Sequence, residues 1–318
     1  MQIASTPQPT NGATPPVPHT LKGDPARNRR EGAINRALQA CALLTVVITA
    51  FIILTVAERA IEFLLSINPS QLVAPGWFPR RGMFDLATLL IGTFLVTVIA
   101  MAIAAPVGLL SAIYLAEYAS PRVRGVVKPI LEVLAGIPSV VLGFFALTFI
   151  NPVVVQTLVP TAKGFNLAAA AVAVGILTIP LIASVSEDAM RAVPHSLREA
   201  AYGLGARPVT VATRVVVPAA VSGIVAAMIL GISRAVGETM VVAIAAGASG
   251  GSLRSWNPFD PGVTMTAAMA ALATGSDQVA GSTAAFTSLF FVGLVLFLLT
   301  LVLNVVGDAF VRRTRQTY

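Results

Sequence analysis

Charge is scarce in this sequence of 318 residues, in which Asp, Glu, Lys and Arg together make up 11%. An ordinary soluble domain carries roughly 25% charged residues. Hydrophobic residues make up 56% of the chain, and the mean hydropathy is +0.84. This composition argues against a water-soluble globule and indicates a protein that lies in a lipid bilayer.

Several kinds of chemical site are also missing. Cys41 is the single cysteine, so no disulfide can form within the chain, and no Cys/His spacing suits a metal. The nucleotide-binding pattern G-x-x-x-x-G-K followed by Ser or Thr does not occur, so the chain cannot hydrolyse ATP with such a loop. We predict no metal ligand and no cofactor.

The first 35 residues are polar, contain many prolines and lack the early apolar run of a cleavable signal peptide. Such a segment cannot bury enough apolar surface to offset the entropy of ordering its backbone. We predict that residues 1–35 form a disordered cytoplasmic tail.

Long apolar stretches are present instead. An apolar helix needs about 20 residues to cross the hydrocarbon layer. The stretches without Asp, Glu, Lys or Arg are 37–57, 86–116, 133–162, 164–186, 215–233 and 278–307. They predict an all-α, polytopic membrane protein with six transmembrane helices. The predicted helices are Ala37–Leu65, Leu86–Leu115, Ile130–Val155, Asn166–Ser184, Val216–Ala246 and Ala285–Val306.

The distribution of Lys and Arg predicts the topology. Six spans place both termini on one side of the membrane, and that side receives most of the Lys and Arg residues. Since positive residues favour the cytoplasmic side, we predict a multi-pass protein of the cell membrane with both termini cytoplasmic and no binding of nucleic acid. The predicted parts are the tail, a first helix with its external loop (36–84), a core (85–310) with a cytoplasmic loop (185–215), and a basic C-terminus (311–318).

The predicted cytoplasmic loop contains a short amphipathic helix. Ser196 and Glu199 have the spacing of a capping box, which predicts that the helix begins at Ser196. Glycine favours helix ends and Pro208 cannot continue a helix, so the helix should end near Gly203 or Gly205. Its apolar face is predicted to comprise Leu197, Ala200, Ala201 and Leu204. This spacing fits either a helix that docks in a partner's groove or one that lies on the membrane surface.

Two charged residues fall within the fifth predicted span. Arg234 and Glu238 are four residues apart and would share one face of a continuous helix. An intramembrane charge normally faces the bundle interior, where it pairs with another charge or marks a transport pathway. The two open interpretations are a structural ion pair, and an anion pathway in which Arg234 binds oxyanion oxygens while Glu238 holds the guanidinium and competes for it.

Two sets of motifs resemble a known family. Glu199-Ala200-Ala201, Gly205 and Val215-x-Val217-Pro218 resemble the EAA motif of ABC-importer permeases. Arg234-Ala-Val-Gly-Glu-Thr239, Leu134–Val141 and Ala112–Tyr118 are similar to the phosphate-specific permeases of the PstC type in the MetI-like family. The resemblance implies the MetI-like fold of type I ABC importers and alternating access. It also implies a transport subunit that is not an enzyme and has no catalytic residue, with ATP hydrolysis by separate ATPase subunits.

The resemblance also implies site residues and partners. It makes the loop helix a coupling helix that contacts an ATPase through Ser196, Glu199, Ala200, Ala201, Gly205 and Pro218. It places Arg234, Glu238 and Thr239 on the substrate pathway. The implied partners are a second, PstA-like permease, two ATP-binding subunits, an external phosphate-binding protein, phosphate and membrane lipid.

Some alternatives stay open from the sequence. The external loop 247–284, with Trp256–Pro261, is either the contact for the binding protein or a plain solvated loop. The chain could serve an importer of similar architecture for another oxyanion or solute. A secondary transporter or channel, which would work as this polypeptide alone, is the alternative from a different class.

Overall fold

The computed structural model describes residues 25–247, 251–275 and 283–314. Its helices are α1 (Pro25–Ser66), α2 (Leu86–Ile113), α3 (Pro121–Ala135), α4 (Ser139–Phe145), α5 (Gln156–Leu158), α6 (Leu167–Arg191), α7 (His195–Gly203), α8 (Pro208–Val211), α9 (Val217–Ala219), α10 (Val221–Val236), α11 (Met240–Ala245), α12 (Met265–Thr274) and α13 (Thr283–Thr314). Three π-helical segments continue them at Tyr114–Tyr118, Ala146–Val155 and Ala212–Val216, and 3₁₀ turns cover Pro69–Val73 and Pro79–Arg81. The strands are β1 (Gly76–Phe78), β2 (Met83–Phe84) and β3 (Ser252–Leu253).

Within these residues, five helical stretches are long and apolar enough to cross a membrane. They are Arg30–Ser66, Leu86–Tyr118, Ser139–Leu158, Leu167–Arg191 and Ala284–Arg313. A sixth span arises if Pro208–Ala219 and Val221–Val236, which meet at a bend of 72°, are counted together. The structure thus confirms a multi-pass, mainly helical protein.

The third span begins later than the sequence predicts. The prediction covers Ile130–Val155, but α3 ends at Ala135 and α4 begins at Ser139. Pro138 has an extended backbone with φ −58° and ψ 130° at the N-cap of α4. Because a proline disfavours helical backbone in the residue before it, the chain breaks here instead of continuing as one helix.

The fifth predicted span is also interrupted, because Val216–Ala246 is not one helix. Pro218, which cannot donate a backbone hydrogen bond, lies in the short helix α9 before the 72° bend. A second break at 237–239 separates α10 from α11.

The two ends of the chain differ from the predicted boundaries. Helix α1 begins at Pro25, so residues 25–35 are helical rather than part of a disordered tail. Residues 1–24 of that predicted tail lie outside the described residues. At the other end α13 continues to Thr314, and 315–318 of the predicted basic terminus lie outside the described residues.

One end of the helical core from α2 to α13, called here the sheet end, carries the three strands. They form an antiparallel sheet in the order β2-β1-β3, which joins the loop after α1 to the loop after α11. Trp77 and Phe84 pair across the sheet and are buried. At Gly92 a Cβ atom would collide with the carbonyl oxygen of Val263, so glycine allows the loop before α12 to pack directly on α2.

A buried ion pair fixes the sheet end. Asp85 is fully buried and accepts hydrogen bonds from the guanidinium of Arg254, with Nε to Oδ2 at 2.9 Å and Nη2 to Oδ1 at 2.7 Å. Asp85 also caps α2 by accepting from the Ala87 backbone N–H and the Thr88 hydroxyl. Burial alone would raise the pKa of Asp85, but the bonds from Arg254 and Thr88 outweigh it, so the pKa lies below its ordinary value.

The buried apolar residues fall into two clusters. The larger lies where α2, α6, α11 and α12 meet towards the sheet end, and it includes Phe63, Leu89 and Met265. The smaller, called the loop-end cluster, comprises Ala112, Met190, Val193, Val211, Val216, Ala220 and Ile224. Helices α2 and α6 pack against each other over much of their length and connect the two clusters.

We predict that Asp85→Asn lowers the thermal stability of the purified protein by several degrees at neutral pH. The substitution leaves the Arg254 guanidinium opposite a neutral amide and weakens the cap of α2. Because the folded pKa of Asp85 lies below 3.8, its stabilising contribution is full above that pH and is lost as the pH falls through the folded value. The difference in melting temperature between the wild type and the variant should therefore stay constant from pH 7 to about pH 4 and begin to shrink as the pH falls below 3.8.

Glu62→Gln is the matched control, because the Arg59–Glu62 ion pair is exposed, with side-chain exposures of 53% and 58%. It should change the melting temperature little. Equal melting temperatures of the wild type and Asp85→Asn at neutral pH would contradict a stabilising role of the buried pair.

Candidate functional site

Helix α7 projects from the end of the core opposite the sheet. It covers His195–Gly203, and Pro194, with an extended backbone of φ −56° and ψ 137°, is its N-cap. The predicted capping box is not formed, because the helix starts one residue before Ser196 and no side-chain hydrogen bond caps it. Ser196 and Glu199 are instead exposed within the helix.

The end of α7 follows the prediction. Gly205 has a left-handed backbone with φ +78°. Its N–H donates to the Tyr202 carbonyl at 2.9 Å, and the Ala206 N–H donates to the Ala201 carbonyl at 3.1 Å. These two bonds form a Schellman motif, in which glycine supplies the left-handed residue and the last carbonyls gain donors. Gly205 therefore ends α7, as the sequence predicts for a glycine at this position.

The apolar residues of α7 point in two directions rather than forming the one predicted face. Leu197 and Ala201 pack on the loop-end cluster. Ala200 is exposed, and Leu204 at the tip is 90% exposed. Tyr202 is also exposed. The helix is therefore seated on its own chain through Leu197 and Ala201, and it leaves Ala200, Tyr202 and Leu204 exposed.

A buried ion pair attaches α7 to the end of α2. The Arg198 guanidinium donates to Glu117 Oε1 from Nη2 at 3.0 Å and from Nε at 3.3 Å. It also donates to the carbonyls of Val193 at 2.7 Å and Met190 at 2.8 Å. The side chains of Arg198 and Glu117 are only 12% and 7% exposed. One guanidinium thus joins α7, the end of α6 and the π-helical end of α2.

Sequence reasoning missed this pair. Arg198 and Glu117 are 81 residues apart, so no local spacing connects them. The one available signal is that a Glu at the end of an apolar span and an Arg on an amphipathic helix both fall on the same predicted side of the membrane.

A second charge cluster attaches α3 to α6. Glu187 is fully buried, and its Oε1 accepts from Arg124 Nε at 2.6 Å. The Lys128 ammonium lies 2.9 Å from Glu187 Oε2 and 2.7 Å from Asp188 Oδ1. Burial alone would lower the pKa of Lys128, but its bonds to Asp188 and Glu187 outweigh it, so that pKa lies above its ordinary value. The cluster therefore holds α3 against α6 as Arg198 holds α7 against α2.

The structure separates the two intramembrane charges. Because the helix breaks at 237–239, Arg234 and Glu238 do not stand on one helical face. Glu238 is 9% exposed, and its Oε1 accepts from the Val241 backbone N–H at 3.4 Å, at the start of α11. Arg234 is exposed and has no ion-pair partner among the residues that the structure describes. The Thr239 hydroxyl donates to the Gly237 carbonyl within the break.

Arg234 instead borders a cavity. The cavity has a volume of about 250 Å³ and lies between α3, α6 and α10, half-way along α6. Pro218 is exposed in α9, away from this cavity. In the part of the chain that the structure describes, no three His, Cys, Asp or Glu residues lie close enough to hold a metal ion.

Comparison with known proteins places this architecture in a family. Residues 104–316 match the family model described as "Binding-protein-dependent transport system inner membrane component". The chain belongs to this family. It is therefore a membrane component of a transport system that works with partner subunits, and the predicted fold of an ABC-importer permease is confirmed.

Relatives in the family are similar over most of their length. The chain is 33% identical over 232 residues to the probable ABC transporter permease protein YqgH of Bacillus subtilis (strain 168), covering 71% of this chain and 74% of that protein. It is 32% identical over 259 residues to the phosphate transport system permease protein PstC 1 of Mycobacterium tuberculosis (strain ATCC 25618 / H37Rv), covering 75% of each.

Solved structures agree in fold. A chain of the bacterial alginate ABC transporter, in complex with an alginate pentasaccharide-bound periplasmic protein, matches with a TM-score of 0.63 and 15% identity. The match covers 91% of this chain and 97% of that one. At this identity the likeness establishes the shared fold and leaves the transported substrate to other arguments.

We predict that Gly205→Ala loosens the end of α7. An L-residue in the left-handed conformation costs roughly 1–2 kcal/mol, so the Schellman motif should open more often. Gly203→Ala is the matched control, because Gly203 lies in the last helical turn without a positive φ, and an added methyl group there would meet no described atom within 4 Å. Amide hydrogen exchange over 195–206 should become faster in Gly205→Ala and stay equal or slow down in Gly203→Ala. Equal exchange in both variants would contradict the role assigned to Gly205.

Proposed function

We propose that this permease is the PstC-type subunit of an ATP-driven phosphate import system and forms half of its translocation pathway. The observation that carries the proposal is α7, a helix that exposes an apolar tip and is fixed to the core by the Arg198 ion pair. Such a helix can dock in a cleft of another protein and transmit a movement of that protein to the core, because the ion pair fixes the helix to its own chain. The similarity to PstC 1 of Mycobacterium tuberculosis supports phosphate as the substrate.

In the proposed assembly the α7 end faces the cytoplasm, together with both termini. The contact surface for the ATPase comprises Ser196, Glu199, Ala200 and Gly205, with Tyr202 and Leu204 added because they are exposed. Ala201 and Pro218, also in the predicted set, are not part of this contact surface. Ala201 packs on the loop-end cluster, and Pro218 lies next to the 72° bend. The remaining partners are a PstA-like second permease, two ATP-binding subunits and an external phosphate-binding protein.

The sheet end would face outwards and receive the binding protein. Trp256 is 64% exposed and forms an edge-to-face pair with Phe94, also exposed, at 6.4 Å between ring centroids. Trp256 lies on the loop that the Asp85–Arg254 ion pair anchors, and Phe94 lies on α2. An exposed aromatic pair of this kind is a surface suited to protein contact. The buried α12, which belongs to the same predicted external loop, is part of the core instead.

In the proposed pathway Arg234 binds the anion in its cavity. A guanidinium offers several N–H donors in a planar arrangement that matches two oxygens of a tetrahedral oxyanion at once. Glu238 and Thr239 contribute by shaping the break between α10 and α11, since the Glu238 side chain accepts from the first turn of α11. Closure of the ATPase would move α7, and alternating access would follow from the motion of the helices attached to it.

We predict that proteoliposomes with the complete assembly take up phosphate only with ATP, and that Arg234→Ala reduces the rate at least tenfold while the assembly stays intact. Arg234→Lys should restore little, because an ammonium lacks the planar donor arrangement. Arg214→Ala, which removes an exposed Arg outside the cavity, is the control and should leave uptake unchanged.

Each of three outcomes would contradict a different part of the proposal: the substrate, the energy source or the role of Arg234. Uptake of sulfate or molybdate without phosphate would identify an importer for another oxyanion. Full phosphate uptake without any ATPase would identify a secondary transporter. Normal uptake by Arg234→Ala would remove Arg234 from the pathway.

A further inference from the structure

A second charged residue faces the cavity of Arg234. Glu132 borders the same space of about 250 Å³ from the wall that α3 forms. The other residues that border it are apolar or small, among them Leu131, Leu177 and Ser184. Within the described residues, Glu132 and Arg234 are the two charged groups that line this cavity.

In the part of the chain that the structure describes, neither Glu132 nor Arg234 forms an ion pair. The Glu132 and Arg234 side chains are exposed, whereas the neighbouring charges Arg124, Lys128 and Glu187 are engaged with one another. A carboxylate and a guanidinium that line one cavity without being paired are both available to a ligand between them. Glu238 differs, because its carboxylate already accepts a hydrogen bond from the Val241 backbone N–H at the start of α11.

Glu132 also borders a second cavity. That cavity has a volume of about 430 Å³, lies nearer to α7, and is lined by Arg124, Lys128 and Arg191 as well as by residues at the end of α2. Glu132 is thus the charged residue that the two cavities share. An anion that moves from Arg234 towards the α7 end along α3 would have to pass its carboxylate.

A carboxylate on an anion pathway can distinguish anions that carry a proton from anions that do not. An ionised carboxylate is only a hydrogen-bond acceptor. It can accept from the P–OH group of hydrogen phosphate or dihydrogen phosphate, but it repels sulfate, which has no proton to donate at neutral pH. A repulsive element of this kind rejects a competitor of equal shape more strongly than attraction alone can.

We propose that Glu132 is a specificity-determining residue, which accepts a hydrogen bond from a protonated oxyanion held by Arg234 and excludes fully ionised oxyanions of the same size. The inference rests on the proposed function and adds a selectivity filter to it. Arg234 supplies attraction for any tetrahedral anion, and Glu132 restricts passage to those that carry a proton.

The test measures phosphate and sulfate uptake by proteoliposomes that contain the complete assembly with ATP. Glu132→Gln should retain phosphate uptake within a few-fold of the wild type, because the amide can still bond to phosphate. It should raise sulfate uptake, or inhibition of phosphate uptake by sulfate, at least tenfold, because the repelling charge is gone. Glu132→Asp, which keeps the charge, should exclude sulfate as the wild type does.

The outcomes separate the two proposals. If the wild type takes up phosphate and Glu132→Gln excludes sulfate as well as the wild type does, the inference about Glu132 fails and the proposed function stands. If the wild type takes up no phosphate, the proposed function fails. If Glu132→Gln and Glu132→Asp lose phosphate uptake equally, Glu132 has a structural role and the inference also fails.

Discussion

The Arg198–Glu117 ion pair is the interaction on which the arrangement at the α7 end depends. Its two side chains are largely removed from solvent, and Arg198 also donates to two backbone carbonyls. Loss of one partner from such a pair typically costs about 3–5 kcal/mol, because the other charge stays buried without compensation. Helix α7 therefore cannot tilt or slide without either breaking this pair or moving the end of α2 with it.

The packing of the core extends this constraint. Helix α2 packs along α6, and α6 holds α3 through the buried carboxylate of Glu187. Glu132 lies on α3, on the helical turn after Lys128, and Arg234 lies on α10, which packs against both α2 and α6. A chain of ion pairs and packed helices thus joins the proposed docking helix to both charges of the proposed pathway. Two discrete positions of α7 would imply two shapes of the cavity, which is the physical requirement for alternating access.

Sequence reasoning reaches the fold class because apolar runs and capping residues act locally. The run 86–116 predicts α2, and Gly205 predicts the end of α7, since both signals lie within the segment they describe. The same reasoning fails where a proline or glycine interrupts a predicted helix, as at Pro138 and Gly237. It also places Arg234 and Glu238 on one face, because it assumes a continuous helix between them.

The ion pairs that hold the site together cannot be predicted from the sequence. Arg198 and Glu117, Arg124 and Glu187, and Arg254 and Asp85 all join segments far apart in the chain, and no periodicity encodes which charge meets which. The sequence also does not predict the position of Glu132, because Glu132 borders the cavity through the packing of α3 beside α6.

The most direct test of this account is the ratio of phosphate transported to ATP hydrolysed by the complete assembly carrying Glu117→Gln. We expect ATP hydrolysis to continue while phosphate uptake per ATP falls at least tenfold, since the docking helix is no longer fixed to α2. Glu58→Gln, which removes an exposed carboxylate on α1, should keep the wild-type ratio. A wild-type ratio in Glu117→Gln would contradict the account.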